Sequence, residues 1–231
     1  MYNPAMGVWT IRDPVQEGLN LYENVKSNPV NLIDPYGLAA WKVDPSKKWD
    51  EQTIKMVKKC IREKVEKWIK GKKEGYDCAD VALTALAECA REQHLPLTIP
   101  VWDAKNKTWT QLRSQDDKYK DADAYLNDLR NNLGAMSLVD RDRATTPKDL
   151  DKLEGGDMII YDLRYQNDPR YEGHTRNVLE NDAEKKQVTV GEGHLTGPVL
   201  VQTYTYDQIQ SDWQGPVGKK GREWNWKVVG R

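Results

Sequence analysis

Cys78, His174, Glu192 and His194 are the residues whose types and placement suit nucleophilic chemistry. Cys78 follows Tyr76-Asp77 at the front of the apolar run "CADVALTALAECA". At a helix front, unpaired N–H groups and the positive end of the helix dipole favour a thiolate. A structural cysteine needs no such place, and Cys89 in the middle of the same run suits the role of small apolar filler. A thiol nucleophile needs a base to take its proton, and the base needs a third group to orient it. Three histidines are available. His94 falls where the cysteine's own helix ends, about four turns away, and suits the dipole at that end rather than catalysis. His174 opens a strand directly after Gly173, and His194 ends the strand "VTVGEGHL". Glu192 and His194 are two apart, so in an extended strand they share a face. A hairpin register that sets either of them beside His174 assembles a thiol, an imidazole and an orienting group. Asp80 reads as a first-turn partner of the dipole rather than a catalyst.

The elements that must position these residues follow from periodicity. In "DEQTIKMVKKCIREKVEKWIKG", Ile54, Val57, Ile61, Val65 and Trp68 recur at three- and four-residue steps. That predicts an amphipathic helix closed by Gly71, with its basic residues on a solvated face. Asp77 suits the N-cap of the helix carrying Cys78, which is apolar on most faces and ends before Pro96. "LTIPVW" reads as a strand edge, and "DADAYLNDLRNNLG" as a helix carrying Tyr125, Leu126, Leu129 and Leu133, with Gly134 as its stop. Three strands follow, "DMIIYDL", "GHTRNVLEND" and "KQVTVGEGHL", the last two joined by a polar turn as an antiparallel hairpin. "GPVLVQTYTY" and "WNWKVV" supply two more. Helices first and an antiparallel sheet afterwards make an α+β pattern.

The chain of 231 residues is 31% charged, with a formal net charge of −1. That balance argues against a broad electrostatic grip on nucleic acid or an anionic membrane. No apolar run approaches the roughly 18 residues that span a bilayer, and the N-terminus lacks the basic-then-apolar pattern of a signal peptide. The cysteines Cys60, Cys78 and Cys89 lack metal-type spacing. A Cys60–Cys89 disulfide would leave Cys78 free, but sequence does not establish that the two are close. The expected chemistry needs no metal or organic cofactor, and no ligand set for one is evident.

Residues 1–38 differ from the rest. Pro and Gly punctuate short apolar pieces such as "GVWTI" and "GLNLY", which predicts brief strands joined by tight turns. The pieces "YNPAMGVWTIRDP", "GLNLYENVKSNPVN" and "LIDPYGL", in that order, closely resemble the C-terminal end of the Rhs/YD-repeat core. The resemblance implies that residues 1–38 are the tail of a β-cage and that residues 39–231 form a variable toxin domain. It also implies self-cleavage after Leu38, with Asp34 as the motif aspartate and Asp13 as its weaker partner. Both aspartates precede a proline and equally suit a turn.

The later pieces "YDCAD", "LDKLEGGDMIIYD", "GHTRNV" and "VTVGEGH" resemble the NlpC and CHAP groups of papain-like cysteine hydrolases. This resemblance implies a papain-like fold, N-terminal helices packed on an antiparallel sheet, with Cys78 as nucleophile and His174 as general base. The orienting residue is then Glu192 or His194; the frequent third histidine of the NlpC group slightly favours His194. The Cys78 backbone N–H is the expected oxyanion donor, and Tyr76 either joins it or packs.

Together the resemblances imply an antibacterial effector exported without a signal peptide, by type VI secretion. Its expected activity is hydrolysis of peptidoglycan peptides in the target periplasm. The expected partners are a cognate immunity protein, the rest of the Rhs cage and the peptidoglycan substrate, with no nucleic acid and no membrane insertion. Alternatives are a papain-like protease or deamidase acting on a cytosolic protein, a nuclease using His174, Glu192 and His194, and a binding module without chemistry.

Overall fold

The computed structural model describes residues 2–3, 8–9, 39–103, 108–135, 145–146, 150–162, 173–194, 196–214, 222–224 and 226. Asp13, Asp34 and Leu38, and with them the self-cleavage junction, lie outside the described residues. Of the N-terminal segment, β1 (Tyr2–Asn3) and β2 (Val8–Trp9) are described and pair antiparallel.

The first helix, α1 (Glu51–Lys70), begins at the N-cap Asp50, whose side chain accepts from the Thr53 N–H, and ends at Gly71. Val57, Ile61, Val65 and Trp68 form its buried stripe, with Ile54 half-buried at its start. The second helix, α2 (Cys78–Glu92), is buried along most of its length. A disulfide joins Cys60 of α1 to Cys89 of α2, so Cys89 is not the free apolar filler its position suggested. Beside it, Lys64 bridges Glu88 and Glu92. β3 (Thr98–Asp103) pairs with β4 (Thr108–Arg113) as a separate antiparallel ribbon. α3 (Ala122–Asn132) then packs on α2 through Tyr125 and Leu129.

The remaining strands form one antiparallel sheet. They are β5 (Thr145–Thr146), β6 (Met158–Asp162), β7 (Gly173–Asp182), β8 (Gln187–Glu192), β9 (Leu200–Thr205) and β10 (Arg222–Trp224). Their order is β5-β10-β6-β7-β8-β9, and the molecule is α+β. Side chains alternate across the pleat, so the sheet serves two cores. Met158, Ile160 and Leu179 face the helices. Ile159, Tyr161, Val178, Val188 and Val190 form the other core with Leu150, Leu153 and Ile209, the last from α4 (Tyr206–Gln214). Helix α4 had no counterpart in the sequence reading, because "YDQIQSDWQ" carries Ile209 as its one aliphatic residue. Of the strand expected at "WNWKVV", Trp224 closes β10, Trp226 is buried, and the remainder lies outside the described residues.

One basic residue of α1 departs from the expected solvated face. Lys58 is buried and pairs with Asp157 at 2.5 Å and Glu154 at 3.1 Å. Trp226 Nε1 also donates to Asp157. Gly156, at φ +93°, lets this turn lie against α1: a Cβ there would stand 2.1 Å from the Lys58 carbonyl oxygen. The "GGD" piece therefore anchors β6 to α1.

Candidate active site

A capping box brings Cys78 to its place. The Asp77 side chain accepts from the Asp80 N–H at 2.7 Å, and the Asp80 carboxylate accepts from the Asp77 N–H at 3.2 Å. Reciprocal bonds of this kind satisfy two orphan donors and fix how the chain enters the helix. Asp80 is thus a structural cap as well as a first-turn acid, and burial, with the Asp77 charge, pushes its pKa up. Cys78, the first helical residue, is half-buried and the free thiol among the three cysteines. Its N–H and that of Ala79 have no acceptor inside the helix.

The end of β8 is pressed against this turn. A Cβ on Gly193 would stand 2.4 Å from the Asp77 carbonyl oxygen and 2.5 Å from that of Tyr76. Only a residue without a side chain lets the strand end and the front of α2 come so close. Gly191 plays the same part against Val65 of α1, where a Cβ would stand 2.4 Å from the Val65 side chain.

His174 stands opposite Tyr161 in the β6–β7 register, with its side chain 19% exposed. Its Nε2 lies 2.5 Å from Glu192 Oε2. The Cys78 side chain is within hydrogen-bonding reach of the same imidazole. Burial alone would push the His174 pKa down, but the hydrogen bonds and charges of Cys78 and Glu192 outweigh it and raise the pKa to about 9. For Glu192, burial pushes the pKa up. The hydrogen bond and charge of His174, the Arg176 charge and the Tyr204 hydroxyl prevail and hold it at about 2. An ionised Glu192 can only accept, so Nε2 carries a proton and Nδ1 is left to exchange one with the thiol.

Glu192 and His194 do not share a face, because β8 ends at Glu192. Glu192 turns inward at 2% exposure, and His194 is exposed. The ring centroids of His174 and His194 are 6.4 Å apart. Of the two candidates for third residue, the structure brings Glu192 to the imidazole and leaves His194 outside hydrogen-bonding range. Tyr76 is half-buried, its ring 5.6 Å from that of Trp68, with Lys73 Nζ 4.6 Å and Arg130 Cζ 4.8 Å from its centroid. That is the packing alternative for this side chain. His94 sits at the far end of α2 with φ +56°, its Nδ1 3.2 Å from the Lys42 carbonyl oxygen.

Three residues that the sequence reading missed complete the arrangement. Arg176 Nε donates to Glu192 Oε2 at 3.1 Å and its Nη1 to the Tyr161 hydroxyl at 2.9 Å. The Tyr204 hydroxyl donates to Glu192 Oε1 at 2.9 Å. A signal for Arg176 was present: in "GHTRNV" it lies two residues after His174, on the same face of the strand.

Among the described residues no group of three or more His, Cys, Asp or Glu side chains is placed to hold a metal ion, and no helix is long and apolar enough to cross a membrane. Comparison with family models, with curated proteins and with solved structures finds no match for the chain.

Proposed function

We propose that this chain carries a papain-like cysteine amide hydrolase that cleaves peptidoglycan peptides as the toxin of an Rhs-type effector. The observation that carries the reading is the line of groups Cys78, His174 and Glu192, with the thiol at a helix front and the imidazole held by a buried carboxylate.

In the proposed reaction His174 takes the Cys78 proton, and the thiolate attacks the amide carbonyl carbon. A C–S bond forms, and the carbonyl electron pair moves onto oxygen, where the Cys78 N–H at the helix front receives it. As the tetrahedral intermediate collapses, the C–N bond breaks and the leaving amine takes the proton from the imidazolium. Water then attacks the thioester carbonyl while His174 accepts its proton. The C–S bond breaks, releasing the acid and restoring the thiolate. Glu192 holds the imidazole in the tautomer that presents Nδ1 to sulfur and stabilises the imidazolium formed in each half-reaction.

The Cys60–Cys89 disulfide favours the periplasm over the cytosol as the place of action, since such bonds persist in oxidising compartments and are rare in cytosolic proteins. The sequence resemblance of residues 1–38 to an Rhs core end supports delivery as an effector guarded by an immunity protein. Expression in a susceptible bacterium with and without a periplasmic export signal tests the reading. Lysis by the exported chain, lost in Cys78→Ala, together with new muropeptides from purified sacculi, is expected. Toxicity retained by Cys78→Ala would instead point to the nuclease or binding alternatives.

A further inference from the structure

Arg176 stands beside Glu192 on the neighbouring strand, one step from the Asn177–Gly191 pair. It is 9% exposed. Its guanidinium carbon lies 4.1 Å from the Tyr204 ring centroid and 4.8 Å from that of Tyr161. Between those rings, among the described residues, it donates to Glu192 Oε2 and to the Tyr161 hydroxyl. The Tyr204 ring that covers one face of the guanidinium also reaches the other carboxylate oxygen with its hydroxyl. Among the described residues, the titratable groups around Arg176 include Tyr161 of β6, His174 of its own strand, Glu192 of β8 and Tyr204 of β9.

Oε2 of Glu192 receives both His174 Nε2 and Arg176 Nε. One buried oxygen therefore joins the pH-dependent imidazole to a cation that stays charged at every working pH. A lone carboxylate at 2% exposure would be costly to keep ionised. With Arg176 present, Glu192 has a permanent counter-ion in addition to the imidazolium. The planar guanidinium, fixed between two rings, also sets where Oε2 lies and hence how the imidazole is turned.

We infer that Arg176 is a positioning residue of the proposed active site: clamped between Tyr161 and Tyr204, it holds the Glu192 carboxylate in line with His174, so that the alignment of the imidazole on Cys78 depends on a fourth side chain. The inference rests on the Cys78–His174 reading and adds a residue that acts through Glu192.

Alkylation of Cys78 by iodoacetamide tests it without a substrate, because the other two cysteines are tied in a disulfide. The readout is the ratio of the labelling rate at pH 6 to that at pH 8, followed by intact mass on the full chain. Each variant is first shown to keep a cooperative thermal transition, since an unfolded chain would label as a free thiol. An imidazole aligned on the sulfur is expected to keep Cys78 reactive at pH 6. Arg176→Gln is expected to lower the ratio about tenfold by removing the clamp and a nearby positive charge. Arg176→Lys, which keeps the charge but not the planar fork, is expected to fall between Arg176→Gln and wild type. If Arg176→Gln does not fold, Arg176→Lys decides alone: a ratio below wild type supports the role, and an unchanged ratio overturns it. A folded Arg176→Gln with the wild-type ratio also overturns it. His174→Ala separates the two readings. If it too leaves the ratio unchanged, the Cys78–His174 pairing fails; if it alone lowers the ratio, only the role of Arg176 fails.

Discussion

Replacing His174 by Gln should flatten the dependence of folding stability on alkaline pH. In the folded chain the His174 pKa is raised from 6.5 to about 9, so the folded state binds this proton more tightly than the unfolded chain does. The resulting stability is fully present below pH 6.5 and is lost as the pH rises through about 9. At 1.36 kcal/mol per pKa unit the shift corresponds to about 3 kcal/mol. The side chain is 19% exposed, so solvent screening removes little of it. Glu192 acts in the opposite sense. Its pKa is lowered from 4.5 to about 2, so its contribution is present above pH 4.5 and lost as the pH falls toward about 2. Urea titrations from pH 6 to beyond pH 9, on wild type and His174→Gln, give the test by difference, since groups remote from His174 titrate alike in both. The wild-type midpoint should fall more steeply than that of the variant, at constant m-value. Cys78→Ala, which removes one of the groups raising the His174 pKa, should show an intermediate slope. Parallel wild-type and His174→Gln curves across this range would refute the linkage, and with it the contact between the imidazole and its two partners.

Glu192→Gln should lower muropeptide release by about 10⁴-fold, because the amide no longer enforces the tautomer or stabilises the imidazolium. His194→Ala, by contrast, should stay within a few-fold of wild type in the same chromatographic assay. Gly193→Ala sets a Cβ against two backbone carbonyls, and should cost at least about tenfold in activity as the front of α2 shifts. Reducing the Cys60–Cys89 bond, with a sequence separation of 29, should lower unfolding free energy by about 3–4 kcal/mol on the loop-entropy account. Urea titration with and without dithiothreitol reads that loss, and an unchanged midpoint would show that the bond does not stabilise the fold.

The helices α1 and α2 were legible in sequence because local rules specify them. The step pattern from Val57 to Trp68 marks a core stripe, and Asp77 before an apolar run marks a cap. The hairpin of β7 and β8 was legible for a similar reason, two alternating runs about a polar turn. Register and strand ends were not, since they depend on packing between distant segments. The expectation that Glu192 and His194 share a face assumed a strand running through Gly193. That glycine is where the chain meets the carbonyls of Tyr76 and Asp77, and β8 has already ended. Lys58 was assigned to solvent because nothing local foretells Asp157, ninety-nine residues on, as its partner. Arg176 escaped notice because a cation inside a strand reads as surface until the rings of Tyr161 and Tyr204 are seen to enclose it.

The proposed chemistry passes through a thioester on one sulfur, and mass spectrometry of that intermediate tests it most directly. The full chain is mixed with peptidoglycan stem peptides, quenched in acid within the first turnover and digested. The account predicts an acyl adduct on the peptide containing Cys78, longer-lived in Glu192→Gln and absent from Cys78→Ser. Peptide cleavage with no adduct at Cys78, or cleavage undiminished in Cys78→Ser, would contradict it.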